Sequence, residues 1–136
     1  MKSNIFTHQL EFANAPLCIV VADSFRLGAA LAEKHHKGKL QLPKEPAGGL
    51  MYDADEGFVV LLLYSQLDLP TIVHELTHVT ISAFRRMGIK LSAKSEEAYC
   101  YHNDMLMRLF MEWAVTNELP FIPFTPYSSL RPKAVS

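Results

Sequence analysis

The chain has 136 residues, 13 Lys and Arg against 14 Asp and Glu, a formal net charge of -1 and an apolar share of 49%. That length suits one domain with its own core, and the near-neutral balance argues against nucleic acid or an anionic membrane as the main partner. Two cysteines, Cys18 and Cys100, make no disulfide framework, and each is expected to be a small buried hydrophobe.

The N-terminal Met1-Lys2-Ser3-Asn4-Ile5-Phe6 lacks the apolar stretch of a signal peptide. The longest apolar run, Phe58 to Tyr64, is too short to span a bilayer. A soluble cytoplasmic protein is the expectation. Residues 4–16 fit a strand or a short helix. Leu17 to Ala22 is rich in β-branched residues and reads as a buried strand. Asp23-Ser24 can cap a helix that continues from Phe25 to about His36, with Gly38 as its stop. Residues 38–49 read as a loop. Gly49 to Tyr52 and Gly57 to Tyr64 flank Asp53-Ala54-Asp55-Glu56 as the two arms of a hairpin.

Asp68-Leu69-Pro70 starts the next helix, with a capping carboxylate and a proline in the first turn. It runs to about Met87 and Gly88 ends it. A second long helix is expected from Ser95 to Asn117, with Ser95 as N-cap and Glu96 and Glu97 at the positive end of its dipole. Pro120, Pro123 and Pro126 keep residues 118–136 extended. The short basic clusters at residues 33–39 and at Arg85-Arg86 read as solvated helix ends. Strand, helix, hairpin, helix, helix implies an α+β domain over residues 1–136, a small mixed or antiparallel sheet packed on helices.

The chemistry concentrates in His74-Glu75-Leu76-Thr77-His78. On a helix, residues four apart share a face, so both imidazoles can address one cation. Glu75 stands beside it, where a carboxylate can take a proton. A catalytic zinc site wants three protein ligands, and downstream lies Ser95-Glu96-Glu97-Ala98-Tyr99. His74-Glu75-x-x-His78, followed after eighteen residues by Glu97-Ala98-Tyr99, resembles the gluzincin clan of zinc metallopeptidases, most closely the very small gluzincin-like proteins of bacteriophage genomes. The resemblance covers roughly residues 57–110.

The resemblance implies a minimal zincin-like domain, a sheet packed on an HExxH helix and a Glu-bearing helix. It implies zinc held by His74, His78 and Glu97, with Glu75 as the general base of a hydrolase acting on peptide or protein substrates in the cytoplasm, the host's if the chain is phage-encoded. Glu96, one position round the helix, would be a solvated carboxylate or would orient a ligand. Asp104 and Tyr101 share the face of Glu97 and either support the ligands by hydrogen bonding or serve in packing or at the surface. His102, His35 and His36 read as surface residues.

By type, Tyr52, Tyr64, Tyr99, Tyr101 and Tyr127 can each serve as a second electrophile. Strand 58–64 either pairs with an extended peptide or is central and buried. The tail, with Phe121, Phe124 and Tyr127, covers the cleft, covers an apolar face or binds a partner. Two further readings stay open. One is a zinc-binding phage accessory or interaction protein whose site is structural or vestigial. The other is a metal-dependent domain that cleaves repressors, against which the lack of a DNA-reading module counts. The sequence leaves the oligomeric state open.

Overall fold

A computed structural model describes residues 2–35, 39–44, 48–54 and 56–129. His36, the Gly38 stop and Asp55 of the turn lie outside the described residues. The elements are β1 (Ser3–Leu10), β2 (Ala15–Ala22), α1 (Phe25–His35), β3 (Gly49–Ala54), β4 (Gly57–Leu63), α2 (Leu69–Arg86) and α3 (Glu96–Thr116). The class is α+β, as the order of elements implied.

The sheet runs β1-β2-β4-β3. β1 pairs antiparallel with β2, β2 parallel with β4, and β4 antiparallel with β3. The parallel pair follows from the path between them, in which α1 crosses over and β3 turns back through a hairpin into β4.

Period-two alternation divides the apolar runs between two cores. Leu17, Ile19 and Val21 of β2, with Phe58, Val60 and Leu62 of β4, face Ile72, Leu76, Val79 and Ala83 of α2 and Leu106, Phe110 and Ala114 of α3. Cys18, Val20 and Ala22, with Val59 and Leu61, face Ala29 and Ala32 of α1. Both faces of the sheet are covered, which is why β2 and β4 are almost uninterruptedly apolar. β4 is thus central, with neighbours on both edges. That settles the alternative for residues 58–64 against peptide pairing, and β3 is the edge strand beside α2.

The ends of α2 set its place. Asp68 caps the start, its Oδ1 accepting from the Thr71 amide at 2.9 Å. At the other end Gly88 takes the left-handed conformation, φ 73°, which glycine adopts without strain. The Gly88 and Ile89 amides then donate to the Arg85 and Phe84 carbonyls at 3.0 and 2.9 Å, a Schellman turn. Arg86 reaches back to the hairpin, donating to Asp53 Oδ1 at 2.7 Å and lying 4.6 Å over the Phe58 ring. It is more than the solvated helix end the sequence suggested.

Ser95 occupies the N-cap position of α3 but makes no capping bond. Its hydroxyl donates instead to the Lys90 carbonyl at 2.6 Å. Two residues depart from expectation by burial. Cys100 is exposed, because it lies on the outer flank of α3. His102 is buried, because it lies on the flank that packs against α2.

Candidate metal centre

α2 is amphipathic in a way that sorts its polar residues. Ile72, Leu76, Val79 and Ala83 form its buried stripe. His74 and His78 lie on the exposed side, one turn apart, and their rings meet edge to face with centroids 4.9 Å apart. Their Nε2 atoms are 3.3 Å apart. Two zinc–nitrogen bonds of about 2.05 Å meeting at a tetrahedral angle require a nitrogen separation of about 3.3 Å. The spacing therefore fits the bite of one such ion, and it fits an N–H···N hydrogen bond equally well.

Glu75 turns the other way, under the sheet edge. Its side chain is 8% exposed against 67% for His74, and Oε2 stands 4.0 Å from His74 Nε2. Gly49, the first residue of β3, makes room for it: a Cβ there would lie 2.7 Å from Glu75 Cγ. Burial raises the carboxyl pKa, and the two histidines pull the other way. The result is a carboxylate held close to the histidine pair with an increased hold on a proton.

A groove of about 390 Å³ runs beside these groups, lined by Gly48, Gly49, Pro70, Thr71, His74 and Glu75. On the other side of His74 a depression of about 490 Å³ is bordered by Leu69, Pro70, Val73 and Phe124. The tail forms that second wall, since the Ile122 amide donates to the Leu67 carbonyl at 3.0 Å and holds the chain across the start of α2.

The structure does not bring Glu97 to the histidines. Tyr99, two positions on and rotated by about 200°, packs its ring 3.9 Å from that of Phe84 on α2. His102, Leu106 and Phe110 continue this inner stripe. Glu97 therefore faces outward and is exposed, together with Tyr101, 70% exposed, and Asp104, which pairs with Arg108 at 2.9 Å. Asn103, which touches Thr77 and Thr80, marks where α3 meets the middle of α2, and Glu97 precedes it by about 9 Å along the axis. Glu96 is also exposed. Among the described residues no three His, Cys, Asp or Glu side chains are gathered so as to hold one ion.

The tyrosines are also accounted for. The hydroxyls of Tyr52, Tyr64 and Tyr99 donate to the Gln41 carbonyl, Asn4 Oδ1 and the Ile89 carbonyl. Tyr127 is 83% exposed.

Two features escaped the sequence reading. One is Gly49, whose missing side chain is what admits Glu75. The other is a polar chain linking α2 and α3 through Thr77, Asn103, Thr80 and His102. Thr80 on the apolar stripe of α2 was its one visible signal, since a buried hydroxyl needs a partner. No described helix is long and apolar enough to cross a membrane. The chain matches no family model, no curated protein and no solved structure.

Proposed function

We propose that the protein is a zinc-dependent hydrolase of the peptidase type, built on a minimal zincin-like domain, with His74 and His78 as metal ligands and Glu75 as general base. The observation that carries this reading is the 3.3 Å separation of the two Nε2 atoms beside a carboxylate 4.0 Å away. Bound there, zinc would supply Lewis-acid polarisation of a carbonyl oxygen. Glu75 would hold and pass the proton, a task that suits a carboxyl whose pKa is raised by burial. His74 and His78 would orient the ion, while Pro70, Thr71 and Gly48 shape the groove that receives the substrate. An extended peptide would lie along the edge strand β3, whose first residue borders that groove, and take its affinity from backbone hydrogen bonds. Glu97, the third ligand implied by the resemblance, would have to turn from the outer face of α3 to join the pair.

A second reading has its own support. His74 is largely exposed and no third ligand stands with the pair among the described residues, an arrangement that suits a zinc-binding interaction protein as well as an enzyme. Peptide hydrolysis by zinc-loaded protein separates the two. The hydrolase reading expects turnover that Glu75→Gln lowers on the order of 10²–10⁴-fold with zinc still bound. Zinc binding without turnover in the wild type would favour the interaction protein.

A further inference from the structure

A second cavity lies away from the histidine pair. It measures about 510 Å³ and opens between the β1–β2 turn and α3, walled by Leu10, Phe12, Phe84, Tyr101, Met105 and His102. Its volume falls in the range of sites for small organic ligands, about 300–1,000 Å³. The walls carry the Phe12, Phe84 and Tyr101 rings together with the polar His8 and Glu11, and the Phe12 and Phe84 rings lie 5.9 and 5.6 Å from the His102 ring.

The polar chain behind this wall fixes the state of His102. It starts at a carbonyl, which can only accept: the Thr77 hydroxyl donates to the Val73 carbonyl at 2.7 Å. Thr77 Oγ1 then accepts from Asn103 Nδ2 at 3.4 Å. That sets the amide, so Asn103 Oδ1 accepts from the Thr80 hydroxyl at 3.0 Å. With its proton committed, Thr80 Oγ1 must accept from His102 Nδ1, 3.0 Å away. A flipped Asn103 would face Thr77 with an oxygen and no proton to receive. His102 therefore carries its proton on Nδ1, and Nε2 is a bare acceptor.

Nε2 is buried and has no hydrogen-bond partner among the described residues. It lies on the side of the ring away from Thr80, and His102 as a whole is 8% exposed. Leaving such an atom unpaired is costly, and burial also keeps the ring from charging. Beside the half-buried His8 and the exposed Glu11, the wall thus offers one buried acceptor without a partner among the described residues.

We infer that this cavity binds a small aromatic molecule carrying one N–H or O–H donor, which His102 Nε2 accepts while Phe12, 43% exposed, moves aside. The site is independent of the histidine pair on α2, so its success or failure leaves the zinc reading untouched.

Indole and its isostere indene, which lacks the N–H, are the probes. Titration of the full chain labelled with ¹⁵N in its histidine rings reads both affinity and the state of His102. Indole is expected to bind at least tenfold more tightly than indene and to move the Nε2 resonance, and His102→Leu is expected to erase the preference. Should that variant fail to fold, the indole-to-indene ratio in the wild type decides. Equal affinities, no binding of either probe, or a proton on Nε2 in the free protein would each overturn the inference.

Discussion

Gly49 and Glu75 are fitted to each other: the space beside the Gly49 α-carbon is filled by the Glu75 side chain, whose Cγ lies 2.7 Å from where a β-carbon would stand. This contact fixes the carboxylate between β3 and α2. Gly49→Ala should displace Glu75 and cost about 1–3 kcal/mol of stability through overpacking, read as a lower denaturation midpoint. Zinc binding, which in the proposed centre would rest on the exposed side of α2, should persist while hydrolysis falls. Unchanged hydrolysis would show that the position of Glu75 is not what the proposed chemistry needs.

His102 predicts a pH dependence. Burial holds its pKa below the ordinary 6.5, so the unfolded chain binds the proton more readily. Stability should then rise with pH up to about 6.5 and fall as the pH drops below it. Equilibrium unfolding between pH 5 and 7.5 checks this. His102→Leu should flatten that part of the profile, and an unaltered slope in the variant would assign the dependence to another group.

The cysteines should react unequally. Cys18 is buried between the sheet and α1, and burial pushes its thiol up to about 11, whereas Cys100 is exposed on α3. Ellman's reagent should titrate one thiol in the folded protein and both after denaturation. A Cys100→Ser variant that still reacts at once when folded would contradict the placement of Cys18 in the core.

Thr80 ties α2 to α3. Thr80→Val leaves His102 Nδ1–H and Asn103 Oδ1 without the hydroxyl between them, and a loss of about 1–3 kcal/mol is expected. Calorimetry reads it, and a neutral effect would mean that water replaces the hydroxyl.

The fold was legible wherever local chemistry decides it. Asp68, Pro70 and Gly88 bound α2 as their backbone preferences dictate, and the apolar run of β2 announced a buried strand, whereas that of β4 left open whether it was central or paired with a peptide. The histidine pair was legible because i, i+4 spacing alone brings two side chains together. Glu97 was not, because its direction depends on the rotation of α3. That rotation is set by Tyr99, Leu106 and Phe110, which claim the inner face. Cys100 and His102 were misjudged for the same reason, since each follows the stripe on which it falls. Gly49 could not be foreseen: a missing side chain has meaning only once Glu75 stands opposite it.

The most direct measurement is zinc content by elemental analysis of tag-free protein after reconstitution, beside His74→Ala, His78→Ala and Glu97→Ala. The geometry predicts about one zinc per chain in the wild type, loss in both histidine variants and retention in Glu97→Ala. Absence of zinc from the wild type, or full retention in His78→Ala, would contradict the metal centre itself. Loss in Glu97→Ala as complete as in His78→Ala would contradict the assignment of the site to α2 alone and place the first turn of α3 at the metal.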